Sequence, residues 1–221
     1  MGSREQPDWG NVAQRYEDWY RTPRGRKYDA LEKDLLSALM GPAGDRRLLE
    51  IGCGTGHFTR WFQGLGWRVW GLDAESRMLT RAREHSSGDI VYCRGDAQRL
   101  PFADNSFDLC ALITTLESTD RPLRALQEAL RVSRQAVLLG VLNSFSLLAL
   151  WRRTRALFRP SIFSRTRFYS GPQLLALIHR AAGGMFQTVS VRFVSANRFF
   201  FEQLPRGAFY AVRVESEKKV V

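Results

Sequence analysis

The sequence predicts an α/β fold built on a mostly parallel, doubly wound sheet, and three observations carry that prediction. Short apolar runs alternate with stretches of helical spacing through residues 47–142, the pattern of βαβ units. The run at 107–114 is nearly all apolar, as a strand buried on both faces requires. The glycine run Gly52-Cys53-Gly54-Thr55-Gly56 directly follows the first apolar run and opens a helical stretch.

Residues 9–20 mix aromatic and charged side chains, and Thr22-Pro23-Arg24-Gly25 breaks the pattern. Helical spacing resumes at 26–40, with Leu31, Leu35, Leu36 and Leu39 on one side. Gly41-Pro42-Ala43-Gly44 stops that helix. Strands are expected at 47–51, 69–73, 90–93, 107–114 and 136–142. Helices are expected at 56–64, 76–85 and 121–132. The alternation then lapses. Residues 145–158 read as an apolar, arginine-rich helix and 173–182 as another, stopped by Gly183-Gly184. Late strands are expected at 186–194 and 208–214. Right-handed crossovers place helices on both faces, and ligands of such sheets bind beyond the carboxyl ends of the strands.

A chain of 221 residues can bury one sizeable core. No apolar run reaches the roughly 18 residues of a membrane span. Residues 1–8 lack the apolar stretch of a leader, so a cytoplasmic protein is expected. Cys53, Cys93 and Cys110 show no CxxC spacing. They read as reduced thiols, with no metal site. The net charge of +11 is unevenly placed: residues 143–221 hold 13 Lys/Arg against 3 Asp/Glu, and residues 1–142 hold 20 against 19. Such a basic surface draws acidic substrates, nucleic acid or anionic lipid.

Gly52, Gly54 and Gly56 let the chain turn tightly and let a ligand approach the backbone. The G-x-G-x-G spacing alone indicates a nucleotide-cradling turn. Glu50 precedes it. A carboxylate there can pair with a ligand's ammonium group and would repel a pyrophosphate, which favours a nucleotide bearing an amino acid over NAD. Asp73 ends the second strand and can take both ribose hydroxyls. Asp96 follows the third and can accept from an adenine amino group. Three acids in register at successive strand ends are harder to dismiss than any one of them, which alone would read as a turn residue.

On these stretches, 48–59, 71–79, 95–108 and 121–132, the chain resembles the class I S-adenosylmethionine-dependent methyltransferases, in the group of the ubiquinone/menaquinone-biosynthesis C-methyltransferases. The resemblance implies a Rossmann-like sheet of seven strands, mostly parallel, with an antiparallel last strand. It implies one domain over 1–221: an N-terminal helical cover (1–44), a cofactor-binding core (45–142), a lid insertion after strand five (143–170), and a last helix and strands (171–221). Glu50, Gly52, Cys53, Gly54 and Gly56 would hold the methionine part of S-adenosylmethionine, and Asp73 the ribose. Ala74 and Met78 would flank the adenine, with Asp96 and Ala97 at its edge. Thr114 would lie by the sulfonium, and Tyr16 and Tyr20 would close over the cofactor. S-adenosylhomocysteine would be the product.

Methyl transfer is an in-line displacement for which the protein mainly positions the reactants. His57, Glu117 and Tyr169 are candidate bases near the mouth, none of them assigned as catalytic; Glu117 stands where many relatives have histidine. In the lid, Trp151 offers apolar cover, and Arg152, Arg155 and Arg165 offer anion contacts. An apolar or acidic small molecule suits both, and the basic segment could also rest on a membrane surface. A nucleic-acid methyltransferase is disfavoured by the lack of an Asn-Pro-Pro-Tyr-type motif. A non-catalytic cofactor-binding module remains the third reading, and the sequence leaves oligomeric state open.

Overall fold

The computed structural model describes residues 9–143, 167–183, 186–195 and 209–218. Its elements are α1 (Trp9–Arg21), α2 (Pro23–Met40), β1 (Arg47–Ile51), α3 (His57–Gly64), β2 (Arg68–Asp73), α4 (Ser76–Glu84) and β3 (Val91–Arg94). They continue with β4 (Phe107–Ile113), α5 (Pro122–Val132), β5 (Ser133–Leu142), α6 (Gly171–Ala182), β6 (Phe186–Ser195) and β7 (Phe209–Lys218). The alternation predicted from sequence is present, with boundaries shifted by a few residues. The proposed helix at 145–158, and with it Trp151, Arg152, Arg155 and Arg165, lies outside the described residues.

One sheet joins the strands in the order β3-β2-β1-β4-β5-β7-β6. β1 to β5 pair in parallel. β7 runs antiparallel to β5 and to β6. The order reverses beside β1, which pairs with β2 on one side and β4 on the other. That reversal is where an α/β sheet leaves a crevice.

Strand periodicity sends Leu49 and Ile51 to one face and Leu48 and Glu50 to the other. The first face packs Leu49, Ile51, Leu112 and Leu139 under α5 and α6. The second packs Leu48, Val69, Leu109 and Leu138 under α2 and α3. Layers of helix cover both faces, as the apolar β4 demands.

Two details correct the sequence reading. The break between the first helices is a single residue: Thr22 accepts from the Gly25 N–H (2.9 Å) and Pro23 starts α2, the N-terminal chemistry that helices favour. Leu31 is 37% exposed, because α2 turns its Leu35, Leu36 and Leu39 side to the sheet. Among the described residues, no helix is long and apolar enough to cross a membrane.

β5, β4 and β7 approach closely at Gly140. A Cβ there would lie 2.5 Å from Phe209 Cζ and 3.1 Å from Ile113 Cδ1. Gly140→Ala is therefore expected to cost about 1–3 kcal/mol by overpacking. Gly171→Ala, with open space at its Cβ position, should change stability little. Urea denaturation of both variants checks the contrast.

Candidate functional site

The chain leaves β1 at Ile51 and turns at Gly52 with φ +74. A side chain there would also strike Thr115, whose Oγ1 would be 2.6 Å from the added Cβ. Thr115 Oγ1 in turn donates to the Ile51 carbonyl (2.9 Å). The end of β4 is thus wedged into the glycine turn, and glycine is required for both conformation and space. Gly52 and Cys53 donate their N–H groups to the Leu72 carbonyl at 2.7 and 3.0 Å. Gly54 has φ +53, with open space where a side chain would stand.

Asp73 closes the other side of the turn. Its Oδ2 accepts from the Gly54 N–H (2.8 Å) and its Oδ1 from the Glu75 N–H (2.9 Å). Burial raises its carboxyl, while these backbone donors oppose the rise. The carboxylate is fixed at the end of β2, with lone pairs left for further donors.

Glu50 is only 2% exposed. Its Oε2 accepts from the Thr59 hydroxyl. Arg60 is the cation that acts on it, but that guanidinium is bonded to the Thr55 carbonyl (2.7 Å) and Glu17 (3.3 Å). Burial raises the Glu50 carboxyl to about 8, and the nearby Asp73 adds to the rise. In the glycine turn, Thr55 Oγ1 is buried without a hydrogen-bond partner among the described residues. Burial also pushes the Cys53 thiol well up, so Cys53 is a neutral neighbour rather than a nucleophile.

α1 crosses this end of the sheet. Ala13 packs on Met78 of α4, and Glu17 pairs with Arg60. The Tyr16 and Tyr20 hydroxyls are 3.0 Å apart, and burial raises that of Tyr16 to about 12. Tyr20 stacks on His57 with centroids 3.7 Å apart. His57 Nε2 lies 2.7 Å from Asp29 Oδ1, and Lys33 Nζ 2.8 Å from Asp29 Oδ2. This cluster ties the first two helices to the start of α3. It commits Nε2 of His57 to holding the helices.

Further residues come from the loop after β3, the end of β4 and the loop before α5. Asp96 is exposed, and its Oδ1 accepts from the Gln98 N–H (2.8 Å). Ala97 is half-buried against the core and Ala74 is exposed. A 520 Å³ cavity opens between Asp96, Gln98 and Arg99 on one side and Asp120, Arg121 and Arg124 on the other. Thr114 has φ +52, costly for a β-branched residue. Its N–H donates to the Gly140 carbonyl at 2.7 Å, which helps hold it there.

Glu117 is buried as well. Its Oε1 accepts from the Leu142 N–H (2.7 Å) and its backbone carbonyl from the Arg167 N–H (2.9 Å). Oε2 has no hydrogen-bond partner among the described residues. Burial raises this carboxyl to about 7. Tyr169 donates its hydroxyl to the Leu116 carbonyl (3.3 Å). The three candidate bases therefore separate: His57 is on the α1–α2 side, while Glu117 and Tyr169 are beside the ends of β4 and β5. Glu17, Asp29, Lys33, Thr59 and Thr115 were missed by the sequence reading. Asp29 and Lys33 at i,i+4 were visible as a helix pair, but nothing in the sequence pointed them at His57.

Residues 49–139 match the family model described as a methyltransferase domain. Over that span the chain is similar to methyltransferase domains. The matched span holds the glycine turn, Asp73 and Asp96. The chain is 39% identical over 99 residues to a malonyl-acyl-carrier-protein O-methyltransferase of Pectobacterium atrosepticum, covering 45% of this chain and 39% of that protein. It is 35% identical over 109 residues to a demethylmenaquinone methyltransferase of Renibacterium salmoninarum, covering 49% of this chain and 44% of that protein. It thus spans less than half the length of these two curated relatives. A SAM-dependent methyltransferase structure from Thermotoga maritima superposes with TM-score 0.73 at 24% identity, covering 95% of this chain and 98% of that one. This likeness shows a shared fold.

Glu117 makes a signed stability test. A carboxyl whose folded value lies above its unfolded one binds its proton more tightly when folded. Stability is then lost as pH rises from the ordinary carboxylate range through about 7. Glu117→Gln keeps the acceptor for Leu142 and cannot ionise. Its stability advantage over wild type is expected to grow from pH 5 to pH 8 by roughly 1–3 kcal/mol, measured by urea denaturation across that range.

Proposed function

We propose that the protein transfers a methyl group from S-adenosylmethionine to a small apolar or acidic organic molecule by in-line displacement, with 1–221 acting as one domain. The observation that carries this reading is the set of acids at successive strand ends around the glycine turn, above all Glu50, a buried carboxyl whose one neighbouring cation among the described residues is already engaged. The residues present fit the cofactor: Glu50 and the unpartnered Thr55 hydroxyl suit its amino-acid part, Gly54 leaves room at the backbone, and Asp73 is pre-set for a ribose. The bound cofactor supplies the electrophilic methyl group.

The chain's own residues bind and orient. Asp96 and Ala97 meet the adenine edge, with Ala74 and Met78 on its faces. Thr114, strained at the end of β4, presents backbone toward the reacting centre. Tyr16 and Tyr20, anchored through His57 and Asp29, form the cover that excludes water there. No base is assigned. A carboxylate acceptor is already a nucleophile, so it needs none. The relatives named for malonyl-acyl-carrier-protein and demethylmenaquinone fit an acidic or an apolar acceptor. The 13 Lys/Arg of residues 143–221 favour the acidic one, with residues 143–170 as a substrate lid that carries Trp151, Arg152, Arg155 and Arg165.

Calorimetry with S-adenosylhomocysteine tests the cofactor reading. Binding is expected, and Asp73→Ala should weaken it at least tenfold, about 1.4 kcal/mol. Absence of binding, or tighter binding of NAD, would overturn the reading. For the acceptor, KM of an acidic substrate should rise as salt is raised from 50 to about 500 mM, whereas an apolar neutral substrate should show little change.

A further inference from the structure

Among the described residues, the surroundings of Glu50 offer an anion little. Glu50 lies on β1, paired with Gly71 of β2 and Ala111 of β4. From α3 it receives the Thr59 hydroxyl, and Arg60 is turned to Thr55 and Glu17. From β2 it faces Asp73, of the same sign. The other titratable groups acting near it are the Tyr16 hydroxyl of α1, the Cys53 thiol of the glycine turn and the Tyr92 hydroxyl of β3. Each is neutral near pH 7 and each is made harder to ionise by Glu50. A buried carboxyl in such a place takes a proton rather than hold an unpaired charge.

We propose that Glu50 carries a proton in the free protein and gives it up to solvent when the cofactor's ammonium group enters, so that cofactor binding is coupled to proton release. This rests on the cofactor reading above. No bond other than the carboxyl O–H changes: the proton leaves to buffer, and the carboxylate left behind pairs with the ammonium. The sign follows. Below the free protein's titration point each binding event must expel a proton, so affinity for the amino-acid-bearing nucleotide falls as pH falls. A ligand with the same adenosine but no ammonium makes no such demand.

Calorimetry in buffers of different ionisation enthalpy at pH 7 reads this directly. S-adenosylhomocysteine is expected to release more than half a proton per site, and 5′-methylthioadenosine, which lacks the amino-acid part, close to none. Glu50→Gln should keep 5′-methylthioadenosine binding and abolish the release seen with S-adenosylhomocysteine. Wild-type affinity for S-adenosylhomocysteine should drop about threefold or more between pH 7.5 and 6.5, and Glu50→Gln affinity should be flat. Binding without proton release would overturn the proposal and leave the cofactor reading standing. Equal release by Glu50→Gln would also overturn it, by placing the proton elsewhere. Failure of both ligands to bind would sink the cofactor reading itself.

Discussion

A carboxyl buried on β1, at the point where the sheet reverses its winding, constrains the whole site. Glu50 projects to the face under α2 and α3, and period-2 geometry puts it there as soon as Leu49 and Ile51 take the opposite core. Burying an acid at this position is unfavourable unless something neutralises it. Among the described residues, the fold supplies a hydroxyl from Thr59 and a guanidinium already engaged by Glu17 and the Thr55 carbonyl. The remaining demand is met by a proton or by a ligand's cation. An electrostatic preference for a ligand's ammonium group is what the proposed cofactor site would draw from that choice.

The surrounding geometry keeps the demand in place. Thr115 fills the turn that Gly52 makes, so β4 and the glycine loop cannot move independently. Asp73 bonds the Gly54 and Glu75 N–H groups, which fixes the second acid relative to the first. The strained Thr114 and Glu117, whose Oε2 has no hydrogen-bond partner among the described residues, both follow β4. Unfavourable local features concentrated at the strand ends, over a well-packed sheet, are the pattern of a binding site. Glu117 and Glu50 are both raised chiefly by burial, but they do different work. Glu117 ties the loop after β4 to β5, and Glu50 lies beside the glycine turn.

Sequence pattern exposed the parts that depend on local chemistry. The apolar run of β4, the glycine spacing, and the acids ending β1 and β2 are all one-dimensional signals, and each is in its expected place. Leu31 was misplaced because helical spacing gives a face only to within a residue or so. The anchoring of α1 and α2 was not legible. It depends on Tyr20 meeting His57 and on Asp29 meeting the same ring, contacts between segments 28 or more residues apart. The raised carboxyl of Glu117 was hidden for a like reason: its burial is set by Leu142 and Arg167, and the sequence shows only a loop. Asp96 shows the converse. Its position after β3 was readable, but its exposure beside an arginine-rich cavity was not.

A crystal structure of the protein grown with S-adenosylhomocysteine tests the central claim most directly. The account expects the amino group within hydrogen-bond distance of Glu50, the ribose hydroxyls on Asp73, and the adenine between Ala74 and Asp96. Finding the ligand only in the cavity lined by Arg99, Arg121 and Arg124, with the glycine turn empty, would contradict it.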